Sequence, residues 1–368
     1  MLELLIIIGI IFIVTYINKN KKPIIKSSEN DFNNYHVTLK EMIKSDNSVT
    51  LKTPSFDVNK IQEYQGIILK AFEFRPKTFE QFIGQKDAKE KACTIIKKFQ
   101  AGMKAHLLVN GIQGHGKTTF VEILGYSLGA KIISRVGKQI DEINLIEIIN
   151  EINTSQEKNI MLFIDELDTM DWKVLKVLNP IIESFEIAGK KIKPFIFAGA
   201  TINKHKLLIR TPDTMDRIGN HIIFERYNND EIKQILVQYK DHLYQAEFIP
   251  GEVFDIISKN CKFNPRISLS LLEDYIIEKN IEKVMQNNKI IKNGLTKKDI
   301  EILQALSTSK RAIGSNALAM KVKLSEKEYI TEFEPFLVEY DYINRIPSRI
   351  ITDKGKQILE EINEKKVY

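Results

Sequence analysis

The chain contains little cysteine, tryptophan and histidine, and neither sign of charge is in strong excess. Its 368 residues include two cysteines, one tryptophan and six histidines. Cys93 and Cys261 have no metal-binding spacing around them, so we expect two small apolar side chains in a reducing compartment. The formal net charge of +6 permits an anionic partner without requiring one. With 43% hydrophobic residues, the chain can bury a sizeable core and divide into two or three domains.

The N-terminus has one long stretch without charge. Residues 4–17 are almost entirely apolar, and Lys19, Lys21 and Lys22 follow at once. As a helix this stretch covers roughly 21 Å, against a hydrocarbon core of about 30 Å. There is no basic segment before it and no small-residue cleavage site, so a cleaved signal peptide fits poorly.

We therefore expect residues 1–22 to anchor the chain in a membrane, with the lysines and the catalytic domains on the cytoplasmic side. The alternative is an apolar helix that packs on the protein or on a partner. Residues 23–70 are polar and rich in Asn, Ser and Lys, which predicts a tether without chemistry of its own.

A glycine-rich loop, residues 111–118, follows the apolar segment 106–110 and precedes the helical pattern 119–124. Such a loop turns backbone N–H groups toward phosphates at a helix N-terminus, where the dipole favours negative charge. Lys117 is expected to reach the β- and γ-phosphates, and the Thr118 hydroxyl to ligate Mg²⁺. The residues expected to bind ATP in this loop are Gly111, Gly114, Gly116, Lys117, Thr118 and Thr119.

A second motif lies about fifty residues further on. Residues 159–164 form a continuous apolar run that ends in Asp165 and Glu166, which is typical of a buried parallel strand. We expect Asp165 to hold Mg²⁺ through water and Glu166 to polarise the attacking water. Together the two motifs predict ATP hydrolysis.

Apolar strands are predicted at 106–110, 131–134, 160–164 and 195–199, with helical patterns between them and a helix from Lys86 to about Ala101. This alternation indicates an α/β fold with a parallel sheet. After about Ile223 the pattern is helical only, to roughly residue 290, and two short strands are expected between Ile343 and Thr352 around Pro347.

The order of these motifs resembles the bacterial Holliday-junction branch-migration motor family RuvB, which consists of AAA+ ATPases. The resemblance covers about residues 71–352. It is carried by the two motifs above and by the segments 75–85 (RPKTFEQFIGQ), 199–201 (GAT), 216–219 (DRIG), 264–267 (NPRI), 334–337 (EPFL) and 345–347 (RIP). It implies an AAA+ large domain at 71–224, a small helical lid at 225–293 and a winged helix at 294–368.

The resemblance also implies roles for residues outside the two motifs. Thr201, or else Asn203, corresponds to the sensor of the γ-phosphate. Arg217 resembles an arginine finger that enters the ATP site of a neighbouring subunit, and its alternative is a surface salt bridge. Arg266 resembles a lid arginine that contacts the nucleotide. The residues implied near the adenine are Phe74, Arg75, Phe82, Ile83 and Tyr227.

The winged helix is expected to bind DNA through Arg345, Arg349 and Lys354, where cations meet phosphate oxygens. However, residues 294–368 hold thirteen Lys and Arg against twelve Asp and Glu, so any contact has to be local. Protein docking is the other common use of such domains.

One segment departs from the family pattern. Where the family has a long β-hairpin that docks the junction-binding partner, residues 186–193 leave room only for a very small one. We therefore expect the usual partner to be absent or docked differently. Lys190, Lys191 and Lys193 face either DNA in a ring pore or solvent.

The sequence thus predicts an oligomeric AAA+ ring, hexameric by analogy, that uses ATP and Mg²⁺ to move on branched or duplex DNA, tethered to a membrane. Two alternatives remain open: a membrane-anchored protein remodeller, and a DNA-binding assembly factor that ATP only switches.

Overall fold

The computed structural model describes residues 74–364 with the exception of positions 188, 310, 346 and 347. The expected anchor at 1–22 and tether at 23–70 therefore lie outside the described residues. Within the described part of the chain, no helix is long and apolar enough to cross a membrane.

A five-stranded parallel sheet forms the centre of the N-terminal half. Its strands are β1 (Leu107–Asn110), β2 (Ala130–Val136), β3 (Asn159–Asp165), β6 (Ile196–Thr201) and β7 (Asn220–Ile223). They lie in the order β2-β3-β6-β1-β7. The central strands are apolar at nearly every position because helices cover both faces. The parallel sheet expected from the sequence is confirmed.

The helices of this half form two layers. One layer contains α1 (Lys86–Gln100) and α2 (Lys117–Ser127), and the other contains α3 (Glu142–Thr154), α4 (Trp172–Ser184), α5 (Lys204–Arg210) and α6 (Pro212–Ile218). Each layer buries its own apolar cluster against one face of the sheet. The carboxyl ends of β1, β3 and β6 are left open at one edge, where ligands bind in such folds.

A minimal hairpin connects α4 to β6. It pairs β4 (Glu186–Ile187) with β5 (Lys190–Lys191) over two residues each, and Gly189 supplies the positive φ of 77° that the turn needs. Lys190 and Lys191 are exposed. The ammonium group of Lys193 is not free to face DNA or solvent as expected, because its Nζ donates to the carbonyls of Ser155 and Glu157, both at 2.8 Å.

Four helices follow the sheet and share one apolar cluster. They are α7 (Asn229–Leu243), α8 (Gly251–Asn260), α9 (Pro265–Glu278) and α10 (Ile281–Asn287). A capping box at Asn228 and Glu231 starts α7, and the Asn264 side chain caps α9.

The C-terminal unit has a separate core and the arrangement of a winged helix. A short hairpin, β8 (Ile290–Lys292) with β9 (Leu295–Thr296), leads into it. Its helices are α11 (Lys297–Ser307), α12 (Ser315–Lys321), α13 (Glu326–Glu328), α14 (Glu334–Glu339) and α15 (Asp353–Glu364), with one π-helical turn between α13 and α14. Two strands, β10 (Ile343–Asn344) and β11 (Ile350–Ile351), form the wing.

Candidate nucleotide-binding site

A cleft of about 830 Å³ opens at the carboxyl edge of the sheet and is covered by the lid helices. The sequence-predicted residues that line it are Phe74, Arg75, Phe82, Ile83, Gly114, Gly116, Lys117, Thr118, Thr119, Asp165, Glu166, Thr201, Tyr227 and Arg266. Gly111, the first residue of the loop, is not among the lining residues, and a Cβ there would meet Cβ of Phe224 at 2.6 Å. The fold thus brings nearly all predicted nucleotide and catalytic residues to one place.

The loop after β1 requires glycine at two positions. Gly114 has φ 83° and Gly116 has φ 87°, which are left-handed conformations that other residues adopt only with strain. A Cβ on Gly114 would lie 2.4 Å from the side-chain oxygen of Asn264 in the lid. The loop backbone therefore passes directly under the lid, and only glycine permits this approach.

Lys117 is buried at the start of α2, and its Nζ donates to the carbonyls of Gly111 at 2.7 Å and Ile112 at 2.9 Å. Burial lowers the pKa of Lys117 below its usual value, while Asp165 opposes this change. The ammonium group therefore donates to two carbonyls of its own loop. Phosphate oxygens can replace these carbonyls as acceptors.

The expected magnesium ligands are in direct contact. The Thr118 hydroxyl donates to Oδ2 of Asp165 at 2.8 Å, although the residues lie 47 positions apart. A hydroxyl beside a carboxylate is an oxygen donor pair of the kind that Mg²⁺ takes with phosphates and water. The side chains present fit the ion.

Glu166 is exposed at the cleft and has φ 50°, a left-handed conformation that is costly for a side chain of this kind. Its N–H donates to Oδ1 of Asp165 at 2.9 Å, and its carbonyl accepts from the N–H of Thr169 at 2.8 Å. These bonds hold the strained backbone at the edge of the cleft, whose lining includes Glu166.

The Thr201 hydroxyl donates to Oδ1 of Asp168 at 2.6 Å, and both side chains are buried. Asn203 instead uses its side-chain oxygen to cap α5, accepting from the N–H of Lys206 at 3.0 Å. Of the two candidates for the phosphate sensor, Thr201 alone lines the cleft.

The proposed adenine side of the cleft is aromatic. Phe74 packs against Tyr239 and His242 with ring centroids 5.2 Å and 4.6 Å apart. Phe82 and Tyr227 are buried, and Arg75 pairs with Glu122 at 3.3 Å. This wall mixes large rings with a cation, as expected for a base-binding surface.

The lid touches the loop directly. The side-chain nitrogen of Asn264 donates to the Gln113 carbonyl at 2.9 Å, while its oxygen accepts from the N–H of Arg266 at 3.0 Å. Arg266 is exposed and reaches the cleft from the start of α9. Any shift of the loop on nucleotide binding therefore acts on the lid through Asn264.

His115 lies at the centre of the loop and is buried, with no hydrogen-bond partner at Nδ1. Burial, reinforced by nearby Lys117, lowers the pKa of His115 to about 4, so the ring is neutral at physiological pH. Its ring packs edge-on against Tyr227 at 5.6 Å, and its carbonyl accepts from the Tyr227 hydroxyl at 3.1 Å.

Arg217 lies outside the cleft. Its Nε donates to the Glu183 carboxylate at 2.8 Å and its guanidinium to the Asp213 carbonyl at 2.9 Å. Within one subunit it therefore makes the surface salt bridge that the sequence left open as the alternative, although with Glu183 as the carboxylate.

The three predicted DNA-contacting residues differ from one another. Arg345 is exposed, and exposed Lys354 donates from Nζ to the Tyr340 carbonyl at 2.8 Å. Arg349 is not a free cation, contrary to the expectation, because it forms a bidentate pair with buried Glu334 at 2.5 Å and 3.1 Å. Desolvated carboxylates require such a partner, so Arg349 supports the fold.

Sequence reasoning missed four residues of the site: Asp168, which orients Thr201, and His115, Gln113 and Asn264, which connect the loop to the lid. Asp168 follows Asp165 and Glu166 within three positions, and its acidity was a usable signal. The roles of Gln113 and His115 rest on their backbone carbonyls, and the role of Asn264 rests on its side chain, which lies in the segment 264–267 but was assigned no function from the sequence.

Comparison with known proteins agrees with this geometry. Two family models match: the Holliday junction DNA helicase RuvB P-loop domain at residues 74–211, and the RuvB C-terminal winged helix domain at residues 292–360. Together they cover more than half of the chain.

Among curated proteins, the Holliday junction branch migration complex subunit RuvB of Ureaplasma urealyticum is 27% identical over 314 residues, covering 78% of this chain and 96% of its own. That of Mycoplasmopsis synoviae is 29% identical, covering 76% and 95%. Among solved structures, the Thermotoga maritima RuvB Holliday junction branch migration motor matches with TM-score 0.66 at 27% identity, over 78% of this chain and 98% of that one. With an AAA+ ATPase cleft and a winged helix in the same order, the chain belongs to the RuvB family.

Proposed function

We propose that this chain is an ATP-driven motor that moves branched or duplex DNA as an oligomeric ring, in Holliday-junction branch migration during recombination and repair. The observation that carries the proposal is the contact between Thr118 and Asp165, made beside Lys117 in a lid-covered cleft. A winged helix in the same chain gives the ATPase a module that fits nucleic acid.

The residues divide the work of phosphoryl transfer. Lys117 would exchange its two carbonyl partners for phosphate oxygens. Thr118 and Asp165 would hold Mg²⁺, which when bound would supply positive charge to offset that of the phosphates. Glu166 orients the attacking water. Thr201, fixed by Asp168, reports on the γ-phosphate, and Arg217 stabilises transition-state charge in the neighbouring subunit's site.

The test is steady-state ATP hydrolysis by the full chain with and without a four-way DNA junction, with Glu166→Gln as the blank. We expect several-fold stimulation by the junction, absent in the blank and falling steeply as salt rises, because phosphate contacts release counterions. Hydrolysis indifferent to any DNA would contradict the proposal. It would favour a protein remodeller instead. The nearly neutral charge of the C-terminal unit and the pairing of Arg349 with Glu334 are both consistent with that alternative.

We further propose that residues 4–17 tether the motor to a membrane, supported by their uncharged sequence and the lysines that follow. Flotation of the chain with phospholipid vesicles, lost on deletion of residues 1–22, is the expected result. Flotation that survives this deletion would overturn the tether.

We also propose that the chain does not dock the family's usual junction-binding partner through the β4–β5 hairpin. Support comes from its length of two residues per strand and from the exposed Lys190 and Lys191 in β5. Tight binding of that partner, abolished by changes within residues 186–193, would refute this.

A further inference from the structure

Tyr340, at the end of α14 in the winged helix, contacts two side chains from outside that domain. The guanidinium of Arg226 lies over its ring at 5.2 Å from the centroid. Phe263 also stacks on the ring, with centroids 5.1 Å apart and planes 15° from parallel. Arg226 also forms an ion pair with Glu339, the residue before Tyr340.

Each of these two neighbours precedes a residue that is hydrogen-bonded to the nucleotide loop. Arg226 precedes Tyr227, whose hydroxyl donates to the His115 carbonyl at 3.1 Å. Phe263 precedes Asn264, whose side chain donates to the Gln113 carbonyl at 2.9 Å. Two separate segments therefore run from the loop, and both meet at Tyr340.

Both segments are held stiffly. The side chain of Gln85 makes two hydrogen bonds to the backbone of Glu225, at 2.7 Å and 2.9 Å, just before Arg226. Lys262 and Phe263 both have left-handed backbones, with φ 54° and 49°, a strained pair that persists only where surrounding contacts fix it. A displacement at the loop is therefore carried along these segments rather than absorbed by them.

A second contact secures the same junction. Lys262 pairs with the fully buried Asp299 of the winged helix at 3.3 Å, and its ammonium lies 4.1 Å from the Phe336 ring centroid. The Phe336 ring in turn packs on Tyr340 at 4.3 Å. Lys262 thus attaches the winged helix to the preceding domain, next to the point where Tyr340 contacts the two segments.

We infer that Tyr340 is a positioning residue that couples the nucleotide loop to DNA binding by the winged helix, through the two segments Arg226–Tyr227 and Phe263–Asn264. The inference rests on the proposed function, since it requires both ATP and DNA to bind. Coupling between two sites is reciprocal, so nucleotide changes DNA affinity by the same factor as DNA changes nucleotide affinity.

The test measures this factor in the full chain. Binding of a fluorescent four-way junction is measured without nucleotide and with saturating adenylyl imidodiphosphate, for the native chain, Tyr340→Ala and Tyr340→Phe. For the native chain we expect the two junction affinities to differ by about fivefold or more, the usual range of such coupling. In Tyr340→Ala the difference falls below about twofold, while the junction affinity without nucleotide and the nucleotide affinity without DNA each stay within about twofold of native.

Tyr340→Phe keeps the ring and therefore keeps the native factor, which separates stacking from the hydroxyl. Tyr126→Ala is the matched control, because Tyr126 is an exposed tyrosine at the far end of α2 and should leave the factor unchanged.

The inference is overturned if nucleotide changes the junction affinity of Tyr340→Ala as much as that of the native chain. It is also overturned if the native chain binds the junction but nucleotide does not change that affinity. Neither result contradicts the proposed motor function. Loss of nucleotide affinity without DNA in Tyr340→Ala also overturns it, because Tyr340 would then support the cleft itself. Absence of junction binding and of junction-stimulated hydrolysis in the native chain refutes the proposed function instead.

Discussion

At the scale of single residues, Gly114 is the position where the loop and the lid leave least room. An alanine there has to adopt φ 83° and to displace the Asn264 side chain, which lies 2.4 Å from the new Cβ. We expect Gly114→Ala to weaken ATP binding by about tenfold or more, equivalent to roughly 1.4 kcal/mol. Titration with a fluorescent ATP analogue measures this change.

Gly102 gives the matched control, because it has φ 75° and a Cβ added there would meet no heavy atom within 4 Å. Gly102→Ala carries the same backbone strain, roughly 1 kcal/mol, without touching the lid. Equal ATP affinities of the two variants would show that the approach to Asn264 is irrelevant to binding.

His106 is a buried histidine that uses both ring nitrogens in hydrogen bonds to the backbone. Its Nδ1 accepts from the Phe197 N–H at 2.9 Å, and its Nε2 donates to the Ile182 carbonyl at 3.1 Å. Burial lowers the pKa of His106 to about 4 from 6.5. Since the folded pKa is depressed, its contribution to stability is full above about pH 6.5 and is lost as the pH falls toward 4.

We therefore expect the free energy of unfolding to fall by about 1–2 kcal/mol between about pH 7 and pH 5 through this residue alone. Urea unfolding at the two pH values measures the fall. His106→Gln should show a smaller fall than the native chain, whereas His205→Asn, at an exposed position, should match it. A fall of native size in His106→Gln would exclude His106 as its source.

Motifs predicted the residues whose chemistry requires a side-chain type at a fixed spacing, such as Lys117, Thr118 and Asp165. They gave no role to His115 or Asn264, because the contacts of these residues join a carbonyl of the loop to the lid, and only the folded chain brings those two parts together. The pairing of Arg349 with Glu334 was not predicted either, since nothing in the sequence of the wing distinguishes an arginine that contacts DNA from one that pairs with a buried carboxylate.

At the scale of elements, the wing depends on the Arg349–Glu334 pair. Glu334 is 2% exposed, so Arg349→Met leaves a buried carboxylate without a partner. We expect a loss of about 3–5 kcal/mol in unfolding free energy, and partial recovery in the double variant Arg349→Met/Glu334→Met. Thermal unfolding followed by circular dichroism measures both.

Arg345→Met is the matched change on the same wing, at an exposed position. It should leave stability within about 0.5 kcal/mol but weaken junction binding and reduce its salt slope by about one. If Arg345→Met destabilised the wing as much as Arg349→Met, the pair with Glu334 would not explain the loss.

The sheet was predictable to the extent that its strands are apolar runs. β1, β3 and β6 begin and end within two residues of the predicted bounds, because buried parallel strands are apolar along their length. β7 was missed because it has only four residues, two of them polar, and its identity as a strand comes from pairing with β1. Such pairing is a tertiary effect that local pattern does not contain.

At the scale of the whole molecule, the catalytic set is divided between subunits if Arg217 acts as the resemblance implies. Within its own subunit Arg217 pairs with Glu183, and both side chains are partly exposed. An exposed pair of this kind contributes little to stability, so the arginine is free to exchange partners at small cost. A ring in which each subunit supplies this group to the next then hydrolyses ATP only when assembled.

We therefore expect Arg217→Ala and Glu166→Gln to be separately inactive and to regain activity when mixed. In a random ring made from equal amounts, about a quarter of the interfaces combine an intact Glu166 with an intact neighbouring Arg217. ATP hydrolysis by the mixture should approach that fraction of the native rate.

Glu183→Gln is the control, because it removes only the partner that Arg217 has within its own subunit, and this variant should remain active. If Glu183→Gln were as inactive as Arg217→Ala and mixing restored no activity, the function of Arg217 would be the salt bridge within the subunit.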